Sequence, residues 1–219
     1  MSQSCHRQWE AEALRIVAGS EQPAIAFPRT RGLWQSAVLM LSVLVAAALA
    51  LVLVPSFMAD LELGRAIESA DAAYLDQAEA HLQSAVAWTP GNATLHRMLG
   101  DVYTSMMLFR RPQDVYLGKA LASYRQAARL TPLDSLTFTR MGWAHLYGGE
   151  AAAAEQAFLQ ARSLDPNNPY INYSLGTSYL WQKKLANART EFEIAQRYYP
   201  AAPEIKASLE EVDRLVTAR

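Results

Sequence analysis

Hydrophobic and polar positions divide this chain into two regimes. From Ala37 to Val54 the only polar residue is Ser42, and the apolar run reaches outward through Leu33-Trp34 and Phe57-Met58. Eighteen residues rising about 1.5 Å each cover about 27 Å, close to the hydrocarbon thickness of a bilayer, so the pattern predicts one transmembrane helix within residues 33–58. A buried core helix would be shorter and would show a polar face. Beyond Pro55 apolar residues return at helical spacing, and one signature recurs at a fixed period. Tyr124, Ala127 and Pro132 are followed 34 residues later by Phe158, Ala161 and Pro166, and 34 later again by Phe192, Ala195 and Pro200. Met141-Gly142 and Leu175-Gly176 stand ahead of the last two sets, also 34 apart, with Tyr179 following the second pair.

That spacing resembles the tetratricopeptide repeat, in which two antiparallel helices per unit stack on their neighbours. The resemblance is closest in residues 168–200, through Leu175, Gly176, Tyr179, Ala188, Phe192, Ala195 and Pro200. Residues 134–166 keep Gly142, Ala154, Phe158, Ala161 and Pro166 but carry His145 where an aromatic is usual. Small residues let two backbones approach, the aromatic fills the space left, and Pro stops the second helix. The resemblance implies an all-α chain, with the transmembrane helix followed by an α-solenoid of three to four helical hairpins. The expected divisions are a tail over 1–32, the span over 33–58 and a degenerate first repeat over 59–92 with its first helix in Ala59–Ala70. Repeats over 93–133, 134–167 and 168–202 follow, and a capping helix over 203–219 closes the stack. The cap has Ile205, Leu209, Val212 and Val216 on one face.

One unit departs from the period. Gly100 and Ala120 are 20 residues apart where Gly176 and Ala188 are 12 apart, so eight extra residues lie within 105–118. Met106, Met107, Phe109, Arg110, Arg111 and Tyr116 fall there. Two expectations stay open: the helices lengthen and bury these side chains, or the segment meets a partner or a membrane surface.

Charge and candidate chemistry narrow the function. A net charge of −1 offers no basic surface for nucleic acid. Cys5 is the single cysteine, which excludes an internal disulfide, and no Cys or His spacing suits a metal. No nucleophile elbow, phosphate loop or pair of catalytic carboxylates is present, so no enzyme activity and no cofactor are expected, and His81, His96 and His145 read as packing residues. In the tail, Trp9, Ala13, Ile16 and Val17 could form one face of a short helix. Arg15, Arg29 and Arg31 precede the apolar run and Arg65 alone lies close behind it, which orients the amino terminus to the cytoplasm and the repeats outside. The competing reading is a cleaved signal peptide ending at Ala48-Leu49-Ala50.

In the resembling family the first helix of each unit lines a concave face that binds peptides or helices of other proteins. Projecting the helical period places Arg97, Asp101 and Thr104, then Thr139, Trp143 and Tyr147, then Tyr170, Tyr173, Thr177 and Trp181 on that face. Some members grip a carboxyl terminus with paired Lys and Asn; here Thr139, Trp143, Tyr173 and Thr177 stand instead. The expected occupant is an apolar or extended segment, or a helix, anchored on Trp143 and Trp181. The resemblance, to membrane-anchored bacterial members in particular, implies a protein-binding scaffold or assembly factor in the bacterial inner membrane. The alternatives are a constitutive structural subunit of a membrane complex and an organelle import receptor with cytosolic repeats.

Overall fold

The structure, a computed structural model, describes residues 30–68, 74–110 and 112–218. The face through Trp9, Cys5, Arg29 and Arg111 lie outside the described residues. Every regular element described is a helix: α1 (Thr30–Glu68), α2 (Leu75–Trp88), α3 (Ala93–Phe109), α4 (Gln113–Leu130), α5 (Ser135–Tyr147), α6 (Ala151–Leu164), α7 (Pro169–Trp181), α8 (Leu185–Tyr198) and α9 (Pro203–Thr217). The chain divides into two compact units between Ala50 and Leu51. Within the first unit α1 presents Val38, Leu39, Met40, Leu41, Val43 and Leu44 to the surroundings. Among the described residues α1 is the one helix long and apolar enough to cross a membrane.

In the second unit α3–α4, α5–α6 and α7–α8 pair as antiparallel hairpins, and each first helix packs on the second helix of the hairpin before it. The contact that makes the pairing possible involves a missing side chain. A Cβ on Gly142 would lie 2.5 Å from the Phe158 ring, one on Gly176 2.6 Å from the Phe192 ring, and one on Gly100 2.6 Å from the Tyr124 ring. Each ring is fully buried and lies against the backbone of the facing helix, where any other residue would push the helices apart. Ala66 and Leu82, at the first hairpin position, have the 16-residue separation of Gly142 and Phe158 and lie in one buried cluster.

Helix ends follow from local chemistry. The side chains of Asn92, Asp134 and Asn168 accept from the backbone N–H two residues on, at 3.0, 3.1 and 3.1 Å, and so start α3, α5 and α7. The turns leaving α5 and α7 close alike, with Glu150 N–H donating to the His145 carbonyl and Lys184 N–H to that of Tyr179, each at 2.9 Å. That turn needs a left-handed residue, supplied once by Gly149 (φ 80°) and once, at the cost of some strain, by Lys183 (φ 58°).

The eight extra residues divide evenly. Compared with α5, α3 runs four residues further at its end, and compared with α6, α4 starts four residues earlier. Of the two expectations for residues 105–118, lengthened helices are what forms, and Met106 and Met107 are fully buried between them. The expectation that these two methionines face a partner is therefore corrected: both point at the core because they continue the apolar stripe of α3. Arg110 pairs with Asp76 on α2, and Tyr116 is half-buried beneath the Lys119 ammonium, 5.8 Å from its ring centre. Phe109 is the exposed member, at 69%.

Lys119 also shows how successive hairpins are fastened. Its ammonium lies 5.0 Å from the Tyr103 ring centre and 3.2 Å from Glu79, which also accepts from the Tyr103 hydroxyl. Two hairpins later Lys184 sits 5.5 Å from the Tyr179 ring and 2.8 Å from Glu155, and Glu79 and Glu155 occupy the same place in α2 and α6. Burial raises the Glu155 carboxyl, but bonds from Lys184 and Gln182 outweigh it and hold the group below the usual range. Between these junctions His145 stands at the tyrosine position and bonds Glu150 of its own hairpin at 2.6 Å.

Replacing Gly142 by Ala is expected to destabilise the protein by about 1–3 kcal/mol through overpacking against Phe158. Adding Phe158→Leu, which takes the ring away from the new methyl, should make the double variant less destabilised than the sum of the single ones, by about 0.5 kcal/mol or more. Denaturant unfolding of the four proteins in detergent, followed by helical circular dichroism, measures both effects.

Candidate functional site: the face of the first helices

The helix caps and the glycine–ring contacts fix the rotation of α3, α5 and α7, and that rotation decides which side chains emerge. Gly142 turns toward Phe158, so the adjacent Trp143 is directed toward α7. Its indole N–H donates to the Ser174 hydroxyl at 3.1 Å, and Ser174 in turn donates to the Tyr170 carbonyl at 2.8 Å. Trp143 lies 5.6 Å from Tyr147, 6.3 Å from Tyr170 and 6.4 Å from Tyr173 between ring centres, and Tyr170 and Tyr173 are 6.4 Å apart. These four rings form a continuous row over two neighbouring first helices. Tyr147 and Tyr170 expose close to half their surface, whereas Trp143 and Tyr173 are half-buried.

On one side of the row lies a depression of about 190 Å³, floored by Tyr124 and lined by Asp101, Thr104, Arg140, Trp143, Tyr147 and Tyr170. The Tyr124 hydroxyl donates to Asp101 at 2.7 Å and lies 3.2 Å from the Thr104 hydroxyl. The Arg140 Nε is 3.8 Å from Asp101. Burial pushes the Asp101 carboxyl above the usual aspartate range, the hydrogen bond from Tyr124 and the charges of Arg140 and Arg97 offsetting only part of it. Burial likewise raises the Tyr124 phenol, so it stays a neutral donor. On the other side of the row a depression of about 470 Å³ is lined by Pro169, Tyr170, Tyr173, Tyr198, Tyr199 and Glu204, among others.

The structure thus gathers Asp101, Thr104, Trp143, Tyr147, Tyr170 and Tyr173 onto one surface. Other residues projected there go elsewhere. Thr139 is 3% exposed and donates to the Ser135 carbonyl of its own helix, because its position turns into the packed side of α5. Arg97 is drawn to Asp134, 3.8 Å away, and ties two hairpins together. Thr177 is half-buried and donates to the Tyr173 carbonyl. Trp181 stands apart from the row, lining a separate depression with Leu180, Lys183 and Leu215 beside α9. Of the two expected tryptophan anchors, Trp143 is held edge-on against Phe158, 5.8 Å between centres, and bonded to α7, while Trp181 is half-exposed at the position one period after Tyr147 and lies near the last helix.

Sequence reasoning missed Arg140, Tyr198, Tyr199 and Glu204. The signal for Arg140 was present, since Arg140, Trp143 and Tyr147 follow i, i+3, i+7 spacing. No group of His, Cys, Asp and Glu among the described residues is arranged to hold a metal ion.

Comparison with protein-family models and with curated protein sequences finds no match. Solved structures do match. A thermophilic tetratricopeptide-repeat protein from Thermus thermophilus, TTC0263, superposes with a TM-score of 0.61 at 21% identity, covering 67% of this chain and 77% of its own. The fold is the tetratricopeptide-repeat fold. PilF of Pseudomonas aeruginosa matches with a TM-score of 0.61 at 20% identity over 72% of this chain and 68% of its own. The first repeat domain of Spaghetti (RPAP3), bound to the HSP90 peptide SRMEEVD, matches with a TM-score of 0.50 at 17% identity over 57% of this chain and 93% of its own.

Asp101→Asn keeps an acceptor for Tyr124 while removing a charge that the fold disfavours. A carboxyl raised on folding binds more protons in the native state, so its contribution to stability is present at low pH and is lost as pH rises through its native value. The difference in melting temperature between wild type and Asp101→Asn should therefore move in favour of the variant between about pH 4 and pH 7, read by thermal circular dichroism.

Proposed function

We propose that this chain is a membrane-anchored scaffold that captures a partner polypeptide on the face of its first helices and carries out no chemistry itself. The observation that carries the reading is the aromatic row through Tyr147, Trp143, Tyr170 and Tyr173, in which Tyr147 and Tyr170 are half-exposed and which depressions flank. Tyrosine gives large, rigid contact area with few torsions to freeze, and clustered aromatics of this kind serve as anchors in polypeptide recognition. The Spaghetti (RPAP3) domain, of the same fold, is a solved case with a bound peptide.

Helix α1 supports the membrane part of the reading. A run of exposed Leu, Val and Met this long is costly in water and stable in hydrocarbon. Its one polar side chain between Ala37 and Val54, Ser42, donates to the Leu39 carbonyl at 2.8 Å and so brings no unsatisfied group into the lipid. Positive charge before the span and little after it favours an amino terminus in the cytoplasm and repeats outside, in a bacterial inner membrane. A second reading, a permanent subunit of a membrane complex, is favoured by the exposed tip of the lengthened hairpin, where Leu108, Phe109 and Val115 would contact another subunit.

Tyr147→Ala with Tyr170→Ala should reduce co-purification of the partner at least tenfold while leaving the helical spectrum unchanged, since neither ring is buried; an undiminished yield would locate capture on another surface. In spheroplasts the repeats should be cut by added protease, and protection until the inner membrane is lysed would overturn the orientation.

A further inference from the structure

The larger of the two depressions lies where α7 and α8 meet α9, and its chemistry differs from the rest of the stack. Helix α9 starts in register with a fifth repeat: Pro203 and Ile205 stand 34 residues after Pro169 and Ile171, and Ile205 is buried like Ile171. At the preceding junction Leu164 and Asp165 occupy the places of Tyr198 and Tyr199, and Asp165 accepts from the Asn168 amide at 2.9 Å. The stacking geometry therefore does not call for tyrosine at either position, and both are 56% exposed. Their rings join Tyr170 and Tyr173 around a space of about 470 Å³. Both walls are stiff. Pro169 begins α7 behind the Asn168 cap, Pro200 follows Tyr199, and the Tyr199 N–H and carbonyl are bonded to Ala195 and Ala202 at 3.1 and 3.2 Å.

The electrostatics of the lining select the occupant. Four tyrosines, whose rings carry negative potential on their faces, line the space with the Glu204 carboxylate, and no Lys, Arg or His lines it among the described residues. An anion is repelled by such walls, and a neutral apolar group makes no use of the carboxylate. A guanidinium or alkylammonium gains from both, stacking on the rings and pairing with Glu204. We propose that this cleft is a receptor for a positively charged side chain, arginine or lysine, carried by the polypeptide that lies on the aromatic row. The inference rests on the reading of that row as a capture surface and adds the charge of what is captured at its C-terminal end.

The test uses the full-length protein in non-ionic detergent and saturation-transfer NMR with three small probes: N-acetyl-arginine amide, tetramethylammonium, and the neutral N-acetyl-citrulline amide. The arginine probe should show saturable transfer, and citrulline, of nearly the same shape, at least threefold less. Glu204→Gln and Tyr199→Leu should each weaken arginine binding about threefold, the scale of one exposed cation–π contact. Both residues lie at the surface, so the variants should keep the wild-type melting temperature. Transfer to tetramethylammonium at the arginine level supports a general cation receptor. Equal transfer to citrulline, or variants that bind as wild type, would each overturn the proposal. If partner capture depends on Tyr147 and Tyr170 while no cation binds, the scaffold reading stands and this inference falls.

Discussion

The architecture depends on how closely the backbones of paired helices can approach. In each of the hairpins α3–α4, α5–α6 and α7–α8 a flat ring from the second helix rests on a stretch of the first helix that has no side chain, at Gly100, Gly142 and Gly176. The ring removes a large apolar area from water and at the same time sets the spacing and rotation of the pair. Rotation is the consequence that matters for function. Once Gly142 faces Phe158, Arg140 and Tyr147 are left at the surface and Trp143 is directed along the Phe158 edge toward α7, and the aromatic row follows from that rotation.

Polar ties between hairpins act at a finer level. The Glu79–Lys119–Tyr103 and Glu155–Lys184–Tyr179 clusters reuse one arrangement, although the cation comes from a different place in each hairpin. Such partly exposed pairs contribute modestly to stability, but they specify which surfaces meet and so keep the stack in register. The junction with His145 lacks the cluster, and there Arg97 and Arg140 reach from one first helix to another, toward Asp134 and Asp101. The smaller depression beside the aromatic row opens at this junction, where the polar ties run between first helices.

Much of this was legible in the residues. The period of 34 and the glycine and aromatic positions follow from the spacing of paired helices, and the long apolar helix follows from the run between Ala37 and Val54. The side-chain destinations were harder to read. Thr139 and Trp143 are one helical turn apart, and a shift of under one residue in phase decides that the first is buried and the second reaches α7. Met106 and Met107 look like surface anchors until the lengthened helices are known, because the sequence gives the number of extra residues without their division. Tyr198, Tyr199 and Glu204 join a cleft with Tyr170 through the way α9 docks; Pro203 and Ile205 keep the period of 34 there, but the two tyrosines stand where the preceding junction has Leu164 and Asp165.

The even division of the extra residues has a consequence for how this hairpin could have arisen. Four residues make slightly more than one helical turn, so adding them to the end of α3 and to the start of α4 leaves both apolar stripes nearly aligned and the ring contact at Gly100 undisturbed. An addition to one helix alone would leave its new turn with nothing to pack against. Hairpin height in this stack is thus quantised: a unit can grow or shrink by whole matched turns, raising a tip such as the one bearing Phe109 above its neighbours without renegotiating any interface below it.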